Sequence, residues 1–207
     1  MNPKWLDWAR ELQAIAQNGL TYNRDRDAYD TLRFQDVQRV AAEIVAAHSN
    51  GDVAHFRAVF AAEEGHITPK VDVRGVVFRD DKILLVRERS DGRWTLPGGW
   101  ADPRESPSEA TVREVYEESG YQTRAVKLLA LYDRDKHGHP PHLFHIYKVY
   151  FLCALVGGAP ATSVETDGVD FFAEDDIPPL SLGRVTPALI ARCFEHYRHP
   201  EWPTDFD

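Results

Sequence analysis

Residues 98–121 read GGWADPRESPSEATVREVYEESGY, and the two ends of a helix are marked within this stretch. Ser106, followed three positions later by Glu109, forms a capping box in which each side chain accepts a hydrogen bond from the other residue's backbone N–H. Pro107 suits the first helical position, and Gly120 suits the left-handed conformation that ends many helices. The stretch therefore predicts a helix that begins at Pro107 and ends just before Gly120.

Three carboxylates share one side of this predicted helix. At about 100° per residue, Glu114, Glu117 and Glu118 fall within an arc of about 100°. Like charges at this spacing repel each other, and negative charge near a helix C-terminus opposes the helix dipole. Hard oxygen ligands on one side suit Mg²⁺ or Mn²⁺, and the alternative is a solvated acidic face. The apolar positions lie on the other side and are expected to face the core: Val112, Val115 and Tyr116.

The spacing over the whole stretch distinguishes between these alternatives. Gly99 is followed after five residues by Glu105, and after seven more by REVYEESG, which begins at Arg113. This pattern resembles the Nudix box, G-x5-E-x7-R-E-U-x-E-E-x-G-U, in which U is a bulky aliphatic residue. Val115 fits the first U position, and the aromatic Tyr121 is the one departure. On these residues the chain is identified as a member of the Nudix superfamily.

The resemblance implies a metal-dependent hydrolase that cleaves the pyrophosphate bond of a nucleoside diphosphate linked to a further group. It implies that Glu114 and Glu118 are metal ligands. Glu117 would be a third ligand or the general base, oriented by Arg113 at the spacing of a helical ion pair. Glu105 would be a carboxylate that contacts these side chains and does not bind the metal itself. We therefore expect Mg²⁺ or Mn²⁺ at Glu114, Glu117 and Glu118, and a catalytic set of Glu117, Arg113 and Glu105.

Residues around the box are candidates for contacts with the substrate. By resemblance, Gly98 and Gly99 form a loop beside the metal, and Trp100 is placed to stack on a base. Arg74, within VDVRGVVF, is a candidate for phosphate binding, and Glu165, within VETDGVDFF, is an alternative general base outside the box. The alternative for each is an ordinary structural role: packing for Trp100, and a solvated strand or loop position for Arg74 and Glu165.

The runs around the box predict strands. VDVRGVVF and KILLVRER, residues 71–78 and 82–89, are joined by a short polar turn and predict a hairpin. Strands with interspersed helices predict an α+β fold, and the resemblance implies the mixed β-sheet flanked by helices, an α/β/α sandwich, that is typical of Nudix proteins. Further elements are predicted along the chain: strands at 125–132, 145–156 and 170–172, and a closing helix at 186–197.

Residues 1–66 have helical periodicity and precede the predicted Nudix domain, residues 67–207. The opening WLDWARELQAIAQNGLTY, with PKVDVRGVVF and ETDGVDFF, resembles the Nudix subgroup that includes CDP-choline pyrophosphatases. A helical unit this short is marginal alone, so we predict that it forms a homodimer interface. The alternative is that its aromatic-rich strip packs on its own catalytic domain. This strip consists of Trp5, Trp8, Leu12 and Ile15.

The composition restricts the class of protein. The chain has 207 residues, is 43% hydrophobic, and carries 24 Lys and Arg against 33 Asp and Glu, for a net charge of −9. Because no basic face emerges, nucleic acid is an unexpected partner, although an RNA-directed enzyme stays an alternative. The chain has no apolar run long enough for a membrane span, no secretory signal at its start, and only two cysteines. We therefore expect a cytoplasmic protein without membrane association.

The predicted activity is pyrophosphohydrolysis of a small nucleoside diphosphate derivative. A non-catalytic nucleotide-binding module is disfavoured, because binding alone does not need four charged residues of the box together: Arg113, Glu114, Glu117 and Glu118. The resemblance places CDP-choline first among substrates, with ADP-ribose or a nucleotide sugar as the alternative. The sequence leaves open the base, the linked group and the identity and number of the metal ions.

Overall fold

The computed structural model describes residues 2–23 and 27–207, which form two compact units. The first unit contains the chain up to Pro69 together with a later segment, Pro141–His145. The sequence predicts a boundary at residue 66 and does not predict the contribution of the later segment. None of the described helices combines the length and apolar character needed to cross a bilayer. The second unit consists of the remainder: Lys70–Pro140 and Ile146–Asp207.

The described residues of the first unit contain three helices, as the periodicity predicts: α1 (Lys4–Tyr22), α2 (Ala28–Ala47) and α3 (Val53–Ala61). The carboxylates of Asp27 and Asp52 cap α2 and α3 by accepting hydrogen bonds from backbone N–H groups of the first helical turn. These caps satisfy donors that have no partner within the helix. The core of the unit combines small residues with aromatic ones: Ala9, Ala41, Ala42, Val45, Phe56 and Phe60.

The strip predicted along α1 is divided between two environments. Trp5 stacks on the ring of His48 with centroids 4.7 Å apart, and Leu12 packs against the core of the first unit. Trp8 and Ile15, by contrast, are 57% and 50% exposed. Two residues of the strip therefore contribute to the packing of the unit, and the other two present an apolar surface.

A mixed seven-stranded sheet forms the centre of the second unit. β1 (Lys70–Arg79) and β2 (Lys82–Glu88) form the predicted hairpin. The remaining strands are β3 (Trp94–Thr95), β4 (Tyr121–Asp133), β5 (Ile146–Gly158), β6 (Thr166–Phe172) and β7 (Asp205–Phe206). In the strand order β3-β2-β1-β5-β4-β7, β1 is parallel to β5 and β4 is parallel to β7, and β6 pairs antiparallel with β2.

Helices α4 (Pro107–Ser119) and α5 (Pro187–Arg198) complete the second unit. Because successive strand residues point to opposite sides of a sheet, Val76 packs in one apolar cluster and Val77 in another. The Val76 cluster includes Leu189 of α5, and the Val77 cluster includes Val115 of α4. The predicted α+β fold, with a mixed sheet between helices, is confirmed.

Helix α4 begins and ends where the sequence predicts, but a different side of the helix is buried. The capping box is present, and Gly120 ends the helix with φ 74°. Val115 is fully buried, whereas Tyr116, predicted to face the core, is 54% exposed. Glu118, predicted on the opposite side, is buried. The prediction was wrong because Glu118 has polar partners inside the unit, which a pattern of apolar residues does not reveal.

Strand β4 is irregular along its length. Its register with β5 shifts at three places, and such shifts bend a strand and leave residues without a ladder partner. Along its other edge, β4 pairs with the two residues of β7. The shifts lie between Gln122 and Thr123, between Ala125 and Lys127, and between Leu128 and Ala130.

Asp205 of β7 connects the end of the chain to two other elements. The Tyr132 hydroxyl of β4 donates to its carboxylate at 2.9 Å, and Arg192 of α5 donates through Nη2 at 2.9 Å. His196 of α5 lies 3.0 Å from the same carboxylate. The bond from Arg192 is the main reason that the pKa of the Asp205 carboxyl lies well below its usual range. Asp205 is therefore an ionised anchor for β7.

Replacing Asp205 with Asn removes the charge at this junction and should lower the free energy of unfolding at pH 7 by about 1–3 kcal/mol. Because the folded-state pKa is lowered, the stabilisation is fully present above about pH 4 and is lost as the pH falls below it. Urea unfolding of the wild-type chain and Asp205→Asn at pH 7 and pH 3 measures both effects. The difference in the free energy of unfolding between the wild-type chain and Asp205→Asn should be smaller at pH 3 than at pH 7.

The matched control is Asp36→Asn, which breaks an ion pair with Arg39 at 3.3 Å whose carboxylate is 72% exposed. This control should change the free energy of unfolding by about 0.5 kcal/mol or less. An equal loss in the two variants, or a loss for Asp205→Asn that is as large at pH 3 as at pH 7, would contradict the anchoring role.

Candidate active site

The loop that contains Gly98 and Gly99 is tied to strand β1 by backbone hydrogen bonds. The Val73 N–H donates to the Gly99 carbonyl at 2.8 Å, and the Gly75 N–H donates to the Pro97 carbonyl at 2.9 Å. Gly98 has φ 142°, and a Cβ atom there would lie 2.1 Å from the Val73 carbonyl oxygen. Glycine is therefore required at position 98, because a side chain fits neither the backbone conformation nor the space.

Glu118 of α4 is fixed to this loop. The Gly98 N–H donates to Oε2 of Glu118 at 2.8 Å, and the Glu118 residue is 4% exposed. Burial raises the pKa of this carboxyl to about 8, although Arg74 and the Gly98 N–H favour its ionised form. A carboxylate buried in this way is costly in the absence of a cation. The site is therefore suited to a positive ligand.

Arg113 joins two carboxylates of α4 to a third, Glu105, in the loop before the helix. Its Nε donates to Glu105 at 2.9 Å, and its Nη1 donates to Glu114 and to Glu117, each at 2.9 Å. The predicted i, i+4 ion pair between Arg113 and Glu117 is present. The Glu105 bond is the main cause that raises the pKa of the Arg113 guanidinium above its usual range. This shared cation offsets the repulsion between the carboxylates.

The donor set fits a hard divalent cation. Glu114, Glu117 and Glu118 present carboxylate oxygens at i, i+3 and i+4, and their side chains range from buried to half-exposed. Burial raises the pKa of the Glu114 carboxyl, and a cation bound nearby would oppose this effect by favouring the ionised form. A Cβ atom on Gly99 would lie 3.1 Å from Oε1 of Glu114, so glycine keeps the space beside this carboxylate open. Oxygen-only donors are those that Mg²⁺ and Mn²⁺ prefer.

Three buried charges, which we call the charged ladder, lie on β1 and β5: Asp72, Arg74 and Lys148. Nε and Nη2 of Arg74 donate to the two carboxylate oxygens of Asp72 at 2.8 and 2.7 Å, and Nη1 donates to the Leu96 carbonyl at 3.1 Å. Lys148 donates to Asp72 at 2.8 Å from the paired position on β5. A phosphate contact by Arg74 stays a prediction, and the bonds present are to groups of the protein.

Within the ladder, burial opposes ionisation and the neighbouring charges favour it. Burial opposes ionisation of Asp72, but Arg74 and Lys148 outweigh it and hold the pKa of this carboxyl below its usual range. Burial lowers the pKa of Lys148 to about 8. Sequence reasoning missed Asp72 and Lys148. The available signal was the presence of charged residues inside apolar runs: Asp72 beside Arg74 in VDVRGVVF, and Lys148 in HIYKVYFLCALV.

A further carboxylate that sequence reasoning missed, Glu88, lies at the end of β2. It is 4% exposed and forms an ion pair with Arg184 at 3.0 Å, and burial raises the pKa of its carboxyl. Its cross-strand partner Thr166 donates through its hydroxyl to the backbone carbonyl of Glu118 at 2.8 Å. The predicted alternative base, Glu165, directly precedes Thr166 and is exposed. This strand end therefore adjoins the end of α4.

Trp100 borders an open groove of about 450 Å³ next to the glycine loop. The Trp100 residue is 47% exposed, and its neighbours in the groove combine apolar surface with the carboxylates of Asp102 and Glu105. An exposed aromatic ring beside open space can receive a flat or apolar group. The groove is continuous with the Nudix-box residues, because Glu105 also bonds to Arg113.

Most of the predicted residues are brought together by α4 and the loop before it. Arg74 lies close enough to Glu118 for each charge to affect the pKa of the other. Glu165 is exposed and is linked to the site through its neighbour Thr166, whose hydroxyl donates to the Glu118 carbonyl. The assembled residues are Gly98, Gly99, Trp100, Glu105, Arg113, Glu114, Glu117 and Glu118.

Two family models match the chain. A UDP-X-like, N-terminal oligomerisation domain matches residues 3–60, and the NUDIX domain matches residues 68–193. Among solved structures, one described as a UDP-X diphosphatase is 28% identical, covers 99% of this chain and 98% of its own, and has a TM-score of 0.64. An ADP-ribose pyrophosphatase from Streptococcus suis 89-1591 is 44% identical, covers 68% of this chain and 100% of its own, and has a TM-score of 0.63.

A curated relative covers nearly the whole chain. The Bacillus subtilis (strain 168) protein named "Putative ADP-ribose pyrophosphatase YjhB" is 44% identical over 204 residues, which cover 99% of this chain and 97% of the relative. An ADP-ribose pyrophosphatase of Methanocaldococcus jannaschii is 31% identical over 56% of this chain and 69% of its own length. The chain matches the NUDIX domain over residues 68–193 and an N-terminal helical domain before it, and α4 carries the charged residues of the Nudix box. The chain therefore belongs to the Nudix hydrolase family.

Proposed function

We propose that this Nudix hydrolase cleaves the diphosphate of a nucleoside diphosphate linked to a small group, and that it requires Mg²⁺ or Mn²⁺. The observation that supports this most directly is the arrangement around Glu118. A carboxylate that is 4% exposed is held by the glycine loop, beside further carboxylates that share one arginine. An arrangement of this kind costs free energy in the absence of a cation and is useful in its presence.

The metal would be held by Glu114 and Glu118, with Glu117 as the third ligand wherever it does not act as the general base. A bound divalent cation supplies neutralising charge at phosphate oxygens and makes water more acidic. The protein's own part is to keep the three carboxylates in place, which the Gly98 N–H does for Glu118 and Arg113 does for the other two. Glu105, bonded to Nε of Arg113 at 2.9 Å, fixes the guanidinium from its other side.

We assign the general base to Glu117, with Glu165 as the alternative. The Glu117 side chain is 56% exposed, so that it can reach water, and Arg113 orients it at 2.9 Å. A base must lie within hydrogen-bond reach of the water whose proton it takes. Attack by that water breaks one P–O bond of the diphosphate, and the two products are phosphate monoesters.

Substrate contacts would come from the glycine loop and the Trp100 groove. Gly98 and Gly99 leave space beside Glu118 and Glu114, where a diphosphate would approach the carboxylates. The exposed Trp100 ring, next to Asp102 and Glu105, would receive the base or the linked group. Arg74 would contribute positive charge from a fixed position, because its guanidinium is bonded to Asp72 and to the Leu96 carbonyl.

We place ADP-ribose first among the substrates. The sequence resemblance favours CDP-choline, whereas the relative that is 44% identical over 99% of this chain is named for ADP-ribose. The neighbour of similar length described as a UDP-X diphosphatase adds UDP-linked compounds to the class. All three share a nucleoside diphosphate with a small substituent.

We also propose that the chain forms a homodimer through α1. Trp8, Ile15 and Tyr22 are 57%, 50% and 58% exposed. Residues seven apart in a helix point in nearly the same direction, so these three side chains form one apolar face, the α1 face. The match to a family described as an oligomerisation domain supports a second copy of this chain as its partner. Symmetric dimers are the commonest assembly of soluble homo-oligomers.

Replacing Glu118 with Gln should abolish metal-dependent turnover while the fold is kept. The amide oxygen still accepts the Gly98 N–H, and loss of a carboxyl whose ionisation is costly at this buried position should leave the metal-free thermal midpoint equal to or above that of the wild-type chain. Turnover should fall by about 100-fold or more. The control is Glu174→Gln, which changes a half-exposed acid paired with Arg198 outside the site. Full turnover by folded Glu118→Gln would contradict the metal-ligand assignment.

Hydrolysis should require Mg²⁺ or Mn²⁺, stop on addition of a chelator, and be fastest for ADP-ribose within a substrate panel. The panel contains ADP-ribose, CDP-choline, a UDP-sugar and a short RNA, and the products are separated by chromatography. ADP-ribose should yield AMP and ribose 5-phosphate, with one water consumed. Faster processing of the RNA than of every small compound would contradict the proposed substrate class. Binding without product release would contradict catalysis.

Ile15→Asp should shift the chain from dimer to monomer, because it places a charge in the centre of the α1 face. Sedimentation velocity at micromolar concentration measures this. The matched control is Val164→Asp, an equivalent change at a loop residue that is 92% exposed. The control should remain dimeric. A wild-type chain that sediments as a 23.5 kDa monomer, or an Ile15→Asp variant as dimeric as the control, would contradict the proposal.

A further inference from the structure

Arg74 and Glu118 are opposite charges that are both buried and do not form an ion pair. Arg74 is 3% exposed and Glu118 is 4% exposed, and both are bonded to the same loop: Nη1 of Arg74 donates to the Leu96 carbonyl, and the Gly98 N–H donates to Glu118. Buried opposite charges gain most when they close into a hydrogen-bonded pair. Within the described parts of the chain, however, no ion pair joins these two residues. A structural constraint must therefore hold them apart.

Asp72 provides this constraint. Its two carboxylate oxygens accept from Nε and Nη2 of Arg74 at 2.8 and 2.7 Å, which is the bidentate geometry that fixes a planar guanidinium. The Leu96 carbonyl accepts from the remaining terminal nitrogen, Nη1. All three guanidinium nitrogens thus donate to groups other than Glu118, so the orientation of the Arg74 side chain is fixed.

Lys148 keeps Asp72 in place from the other side. The two residues are paired across β1 and β5, and the Lys148 ammonium donates to Asp72 at 2.8 Å. The charged ladder therefore carries a net charge of one positive unit when all three groups are ionised. Arg74 brings this charge to the loop that holds Glu118, and its described hydrogen bonds go to Asp72 and Leu96 and leave the Glu118 oxygens free of it.

We infer that Asp72 is a positioning residue that prevents Arg74 from pairing with Glu118 and so keeps the Glu118 carboxylate available to a divalent cation. This inference rests on the proposed function, in which Glu118 is a metal ligand. In the absence of the Asp72 charge, the freed guanidinium closes on Glu118, and the ladder next to the metal site gains a second positive unit. Both effects weaken the binding of a cation.

Isothermal titration of Mn²⁺ into the full-length chain tests the inference without reference to turnover. Asp72→Asn should weaken Mn²⁺ binding by about tenfold or more, the scale on which residues behind metal ligands act. The double variant Asp72→Asn with Arg74→Met should bind Mn²⁺ within about threefold of Arg74→Met alone, since Asp72 acts through Arg74. The matched control is Asp167→Asn, which breaks an exposed ion pair with Arg87 at 2.6 Å and should bind as the wild-type chain does.

Circular dichroism establishes that each variant is folded before titration. If Asp72→Asn does not fold, Asp72→Glu replaces it in both arms, because it keeps the buried charge and displaces only the bidentate contact. A folded Asp72 variant with wild-type Mn²⁺ affinity would overturn the inference. So would a double variant that binds as weakly as the Asp72 variant alone. Absence of Mn²⁺ binding in the wild-type chain would instead contradict the proposed function.

Discussion

The hydrogen bond from the Gly98 N–H to the Glu118 carboxylate joins the two parts of the candidate site. On one side of this bond, backbone contacts to β1 hold the glycine loop, and Gly98 adopts φ 142°, where a Cβ atom would meet the Val73 carbonyl. On the other side, α4 is fixed by its capping box and by burial of Val115. The bond sets the distance between loop and helix, and the remaining carboxylates follow from their positions on α4.

The site concentrates negative charge and compensates it with two arginines in different ways. Arg113 contacts its carboxylates directly and holds Glu105, Glu114 and Glu117 as a group. Arg74 is bonded to Asp72 and acts on Glu118 through space. The directly paired carboxylates are partly exposed, whereas the one that lacks an arginine partner is buried. The charge of the Glu118 carboxylate is therefore less neutralised than the charges of the three carboxylates bonded to Arg113.

Much of this fold is predictable from the sequence because the signals are local. The capping box, the glycine at the end of α4 and the apolar periodicity of the N-terminal helices all report on their own segment. Tyr116 and Glu118 were assigned to the wrong sides because a tertiary hydrogen bond determined the orientation of the helix. Asp72 and Lys148 were missed because their contact depends on the register between β1 and β5, strands more than 60 residues apart in the chain. β7 has only two residues and no pattern of its own.

The irregular strand β4 has a consequence for the behaviour of the protein in concentrated solution. A sheet edge with evenly spaced N–H and C=O groups is a template on which another chain can add a strand. The three register shifts in β4 disrupt that even spacing and bend the strand, and β7 occupies Ala130 and Leu131 at its outer edge. The edge is therefore a poor template, and this side of the sheet resists edge-to-edge aggregation through its own geometry.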